Sequence, residues 1–168
     1  SCSLAHASET CTSGTCEIVS CDSGWCDLNG LPGNGCEFDL DTNPACGSYT
    51  DIGSISGDEN NDHIQVSGHG ERWFRVRVNE TYENWSDCLY LSAIIQLVVP
   101  SGTNYDLFVY CDDCSDTSGT SSNGGSTNEY VENRWDEGCI LGFPDGSDDG
   151  RFLYIKVQFS SGNVCSNW

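Results

Sequence analysis

The chain contains no methionine, a single lysine (Lys156) and no long uninterrupted apolar run. Its best apolar stretch, Leu89 to Pro100, is broken by Ser92 and Gln96. That falls short of the roughly 20 residues of a membrane helix, so membrane insertion is not expected. Without methionine there is no initiator, and Ser1-Cys2 opens neither a basic n-region nor an apolar h-region. The expected species is a mature, already processed, exported chain. Bases are scarce as well: six Lys and Arg stand against 26 Asp and Glu, a net charge of −20. Such a surface repels nucleic acid, whose binding rests on neutralising phosphates with Lys and Arg, and it repels anionic lipid. It suits solubility, divalent cations or basic partners, and a solvated acidic face needs no partner at all.

Catalytic patterns are missing too. His6, His63 and His69 form no H-E-x-x-H, and Gly53-Ser-Ile-Ser-Gly57 has isoleucine where a nucleophile elbow needs serine. Paired carboxylates carry no weight in so acidic a chain. No catalytic residue is assigned, and the expectation is a protein that is not an enzyme.

What is abundant is cysteine. Cys2, Cys11, Cys16, Cys21, Cys26, Cys36 and Cys46 crowd the first 46 positions, and Cys88, Cys111, Cys114, Cys139 and Cys165 follow. This density belongs to an oxidising compartment, and all twelve are read as disulfide candidates. Seven and five are both odd. Full oxidation therefore requires at least one bridge between the two groups or to another chain. Spacing alone does not settle the pairing.

The two groups lie in regions of different character. Residues 1–48 have scattered apolar side chains and cannot bury enough surface without covalent links. Cys11, Cys16, Cys21 and Cys26 recur every five residues, which would throw thiols to opposite faces of one unbroken strand. Short extended pieces turning at Ser13-Gly14, Ser23-Gly24, Asn29-Gly30 and Asn34-Gly35 fit better, giving a mostly irregular, bridged arm. Residues 49–168 alternate with the period of strands: Ile52 to Ile55, His63 to Ser67, Trp73 to Val78, Tyr105 to Tyr110, Asn128 to Trp135 and Phe152 to Phe159. Leu89 to Val99 reads as a strand buried on both faces or as two short ones, and Ser115 to Thr127 as a long hairpin loop. Strands at these intervals, with no helical spacing anywhere, predict an all-β jelly-roll or Ig-like sandwich behind the arm.

Four segments carry a family resemblance: Ile55-Ser-Gly-Asp58, Glu71-Arg-Trp-Phe-Arg-Val-Arg-Val78, Asn104-Tyr-Asp-Leu-Phe-Val-Tyr110, and Gly150-Arg-Phe-Leu-Tyr-Ile-Lys-Val157 followed by Ser161-Gly162. In this order they resemble the bacterial pre-peptidase C-terminal domain, over about residues 50–165. The resemblance implies a secreted β-sandwich acting as a non-catalytic accessory or surface module. The chain departs from that family in its five extra cysteines and in stopping at Cys165-Ser-Asn-Trp168, where the family continues into a last strand. Cys11-x2-Gly14-x-Cys16-x4-Cys21-x2-Gly24-Trp25, Asp27-x-Asn29-Gly30 and Gly35-Cys36-Glu37 resemble Cys-rich repeats of secreted bacterial surface proteins. Here Cys26 precedes Asp27, where the repeat has Asp-Cys-Asn-Gly, so its pairing does not transfer.

Several side-chain groups are candidate sites. Asp27, Asn29, Asn34 and Glu37, and separately Asp145, Asp148 and Asp149, offer oxygens around glycine turns, as Ca²⁺ requires; Asx-Gly turns also arise for backbone reasons alone. Asn79-Glu-Thr81 and Asn84-Trp-Ser86 are glycosylation sequons, placed by the strand pattern on a solvent loop after Val78. Cys111-Asp-Asp-Cys114 reads as a structural disulfide at a strand end, since flanking acids raise a thiol pKa and no second C-x2-C completes a zinc site. Trp25, Trp85, Trp135 and Trp168 are candidates for stacking on glycans, against core packing as the commoner role of tryptophan.

Together these features predict an extracellular structural protein whose partners are copies of itself. A bridged arm and a sandwich with an open edge suit a heterologous contact, and one that does not close yields a filament. An accessory carbohydrate-binding module or a Ca²⁺-dependent adhesion module of a larger secreted protein is the alternative.

Overall fold

The computed structural model describes residues 2–59, 62–81, 90–136, 138–140, 143–144 and 146–168. Strand-period alternation becomes sheet, and the chain is all-β. Its arm holds two small ribbons. Strands β1 (Ala7–Thr12) and β2 (Thr15–Cys21) form an antiparallel hairpin, and β3 (Trp25–Cys26) pairs with β4 (Phe38–Asp39). The hairpin turns on Ser13 and Gly14, both at positive φ, so the two-residue loop matches the twist of the strands it joins. The arm is thus more regular than its composition indicates.

The sandwich begins with β5 (Thr50–Ser56), β6 (Arg72–Asn79), β7 (Tyr90–Leu97), β8 (Thr103–Cys111) and β9 (Thr117–Ser121). It continues through β10 (Glu129–Asp136), the short pair β11 (Cys139–Ile140) and β12 (Phe143–Pro144), and the long β13 (Arg151–Gly162). One sheet has five strands in the order β5-β6-β13-β8-β9, with β5 and β6 parallel and the other pairs antiparallel. Among the described residues the facing sheet consists of β10 and β7, in continuous antiparallel register from Glu129 opposite Leu97 to Asp136 opposite Tyr90.

Alternation decides which side chains enter the space between the sheets. Phe74, Val76 and Val78 of β6, Tyr105, Leu107 and Val109 of β8, and Leu153, Ile155, Val157 and Phe159 of β13 point inward. Leu91, Ala93 and Leu97 of β7 and Val131 and Trp135 of β10 meet them. At Gly57, where the chain leaves β5, an added Cβ would lie 2.8 Å from Val78 and 2.9 Å from Leu91, so only glycine fits between the layers there. The arm is built into this core. Cys26, Cys36 and Leu40 are fully buried, and Leu40 N and O bond Gly24 O and Glu71 N at 2.8 and 3.0 Å. The next stretch covers the outer face of the large sheet: Trp73 Nε1 donates to Pro44 O at 2.8 Å, and Arg75, ion-paired to Asp51, lies over the rings of Tyr49 and Phe152.

Three strand-level expectations change. His63–Ser67 is extended but joins no ladder. Leu89–Val99 provides one strand, β7, whose outer face is open: Ile94 is 62 % exposed, so this strand is buried on one face only. Within the Ser115–Thr127 stretch, Thr117–Ser121 forms β9, because Gly119 and the small Ser and Thr side chains fit against Val131 of β10 and extend the large sheet by a strand.

One buried carboxylate gives a pH-dependent prediction. Glu71 is buried, its Oε1 accepts Phe159 N at 3.2 Å, and its Oε2 has no hydrogen-bond partner within reach among the described residues. Burial raises its pKa, against a smaller opposing pull from Lys156. The folded chain therefore keeps the proton over a pH window in which the unfolded chain has released it. Stability is highest below the ordinary Glu value and falls as pH rises through that window. Glu71→Gln, which retains the acceptor for Phe159 N, is expected to melt above the parent at pH 7 and level with it at pH 4. Equal melting at both values would show that the buried carboxylate costs nothing.

Candidate functional site

The unequal sheets leave an open flank. In an antiparallel pair each residue turns both its N–H and its C=O either toward the partner strand or away from it. Ser92 N donates to Gly57 O at 2.8 Å, which sets the phase of β7: Ser92, Ile94 and Gln96 face away from β10, and Leu91, Ala93, Ile95 and Leu97 face it. Among the described residues, Ile94 and Gln96 have no backbone partner on this outer edge. Beside the edge a cleft of about 610 Å³ opens between the sheets. Its floor is apolar, with Phe74, Val76, Leu107, Ile155 and Trp168 among its lining, and its far wall is the unladdered segment 62–67. A strand edge on one side and an extended, alternating segment on the other make a slot of the kind that β-augmentation fills.

The arm supplies a complementary element. The β1–β2 hairpin is mostly exposed, with Val19 at 66 %, and its base is tied to the body. Asp22 N donates to His6 O and Cys36 N to Ala5 O, both at 2.9 Å, and Asn163 Nδ2 donates to Cys21 O at 3.1 Å. An isolated two-stranded ribbon is marginal alone, and this one is fastened by sulfur.

Two bridges, Cys26–Cys165 and Cys46–Cys114, join arm to sandwich within the chain; they leave five and three cysteines, both odd, so without a third crossing each group keeps one sulfur over. Cys21–Cys36 closes the base of the hairpin, and Cys139 is also oxidised. Cys88 lies outside the described residues. Two expectations are corrected. Cys111 and Cys114 do not close on each other, because the chain turns through Asp112 at φ 60° and carries Cys114 to Cys46. Cys111 remains a half-buried thiol packed against the core. Nor can Cys2, Cys11 and Cys16 all be bridged to one another: the three sulfurs meet in one cluster, and one sulfur forms only one S–S bond.

The oxygen-rich loops serve the backbone. Asp27 Oδ1 accepts Gly30 N at 2.7 Å, Asn29 Oδ1 accepts Leu31 N at 2.8 Å, and Glu37 Oε1 accepts Asn29 N at 3.0 Å. Asn34, in the same loop, donates its N–H to Leu31 O at 3.3 Å. Asp148 ion-pairs with Arg77 at 2.9 Å and accepts Gly150 N, and Asp149 Oδ2 accepts Gly138 N at 2.5 Å. Asp145 lies outside the described residues. Among those that are described, the one cluster of three or more His, Cys, Asp or Glu close enough to share an ion is Cys2, Cys11 and Cys16.

Asn79 ends β6, half-buried and paired with Ser56, so this sequon begins in a strand and not in a loop. Asn84 and Trp85 lie outside the described residues. Trp135 and Trp168 are core residues with satisfied indole N–H groups, bonded to Asp149 O at 2.9 Å and Gly70 O at 3.0 Å, and so are not exposed for glycan stacking. Trp25 stacks on His6 with ring centroids 3.5 Å apart. An open edge was expected from the absent last strand, but nothing in the sequence placed it on β7. The nearest signal was a mismatch, since His63–Ser67 carries the alternation of a strand with no ladder to join. Among the described residues no helix is long and apolar enough to cross a membrane. No family model, curated protein or solved structure matches the chain.

Proposed function

We propose that this is an extracellular structural protein, without catalytic activity, that assembles with copies of itself into a filament. The observation that carries the reading is the unpaired edge of β7 beside an apolar cleft. The β1–β2 hairpin of a neighbouring copy is the donor, because among the described residues its two strands pair only with each other, and it exposes Ile18 partly and Val19 to 66 %. Hairpin on one side and slot on the other make the contact heterologous, and repetition of a heterologous contact that does not close gives a fibre. The disulfides fit an oxidising, non-cytoplasmic setting. The net charge of −20 opposes association, so assembly is expected to strengthen with ionic strength as repulsion is screened over about 10 Å at 0.1 M salt.

Negative-stain microscopy and sedimentation of the full chain test this reading. Fibres are expected from the parent chain, and Val19→Asp, an exposed change that leaves the body intact, is expected to raise the concentration needed for assembly by about tenfold, equivalent to roughly 1.4 kcal/mol per contact. A parent chain that stays monomeric at all salt concentrations, or fibres indifferent to Val19→Asp, would overturn it.

A further inference from the structure

Three sulfurs meet where two can bond. Cys11 and Cys16 face each other across the hairpin, one residue in from the Thr12–Thr15 pair that flanks the turn, and Cys2 folds back onto both. All three Sγ atoms lie within 4.8 Å of one another. Valence allows one bridge among them and leaves one thiol, held in contact with the bridge it could attack. Cys11 is exposed, and Cys2 and Cys16 are half-buried, at the free end of a hairpin whose other end is anchored through Cys21–Cys36.

From this geometry we propose that Cys2, Cys11 and Cys16 form a thiol–disulfide exchange site that joins one chain covalently to the next. Within a chain, the spare thiolate attacks one sulfur of the bridge. A new S–S bond forms, the old one breaks, and the displaced sulfur leaves as thiolate. Between chains the step is the same. The thiolate of one copy attacks the cluster bridge of another, an intermolecular S–S bond replaces an intramolecular one, and the displaced thiolate takes up the proton that the attacking thiol gave up. Disulfides and thiols are conserved in number, so each addition regenerates a thiol and growth needs no oxidant. Cys111 is not suited to this role, because it packs against the core. The inference rests on the proposed self-assembly for bringing copies together, and the exchange, which joins two hairpin tips, is a link distinct from the seating of a hairpin beside β7.

The test alkylates the native full chain with N-ethylmaleimide, then maps labels and bridges by mass spectrometry without reduction. One label per chain is expected in the cluster, distributed over at least two of its three cysteines. Unlabelled chain at assembly concentration should give an SDS-resistant ladder that dithiothreitol collapses, with junction peptides containing Cys2, Cys11 or Cys16. Prior alkylation should reduce that ladder on the order of tenfold or more, as should Cys16→Ser, which leaves Cys2–Cys11 and no spare sulfur, while Cys111→Ser should leave it unchanged. The alkylated wild-type chain keeps the test independent of whether a variant folds. Label confined to a single cluster position, a ladder that survives alkylation, or one lost in Cys111→Ser would overturn the proposal. So would protection of all three cysteines accompanied by a thiophilic metal released on denaturation. Fibres that persist by microscopy without a ladder would remove the covalent step and leave the strand-docking reading intact.

Discussion

Gln96→Pro is expected to raise the concentration at which fibres form by roughly 10- to 100-fold while leaving the monomer folded. The phase of β7 decides the outcome. Gln96 shares the phase of Ser92, whose N–H turns away from β10, so a proline at position 96 removes no hydrogen bond from the β7–β10 ladder. Its side chain is exposed, so no core contact is lost. On the open edge the same change removes a donor that an added strand would use and places a ring in its path, which is how natural edges are protected. Ile95→Pro provides the opposite-phase control. It removes a ladder donor opposite Val131 and should destabilise the monomer itself. Sedimentation for assembly and circular dichroism for folding separate the two effects. Unchanged fibre formation in a folded Gln96→Pro chain would exclude β7 as the acceptor.

Removing the Cys26–Cys165 bridge, as Cys26→Ala with Cys165→Ala, is expected to cost up to about 5 kcal/mol, toward the top of the range for one disulfide. The bridge spans 139 residues, and the entropy returned to the unfolded chain grows with the logarithm of the loop. Cys21–Cys36 spans 15 residues, and its removal is expected to cost about 3 kcal/mol. Urea midpoints of the two double variants therefore test whether chain entropy is the main contribution. A smaller loss for Cys26–Cys165 would point to native-state packing as the controlling factor. The same bridge explains why the arm is not a detachable tail. Cys26 and Leu40 lie in the core and Cys46–Cys114 ties the outer face, so cutting away residues 1–48 would open the sandwich as well as remove the hairpin.

Much of the architecture was legible in the residues. Trp73-Phe-Arg-Val-Arg-Val78, Tyr105–Tyr110 and Phe152–Phe159 alternate so regularly that their inward side chains could be named before any contact was known. Ser13-Gly14 marked a turn through backbone preference alone, though not the regular hairpin built on it. Elsewhere a local pattern pointed to the wrong neighbour. Leu89–Val99 is apolar enough for burial on both faces, yet Ile94 and Val98 stand 62 % and 61 % exposed because, among the described residues, no layer packs on that face of the second sheet. The oxygens of Asp27, Asn29 and Glu37 were of the type a cation loop uses, without its usual spacing, and each accepts a backbone N–H within the loop.

By itself, the sequence determined the compartment chemistry, the all-β class and the face each strand side chain would take, because thiol density, strand period and turn preference act within a few residues of chain. Only the tertiary structure decided which cysteines met, which strand edge stayed open, and that three sulfurs would share one place. These depend on which distant segments become neighbours, and alternation specifies the face of a strand without specifying what lies beside it.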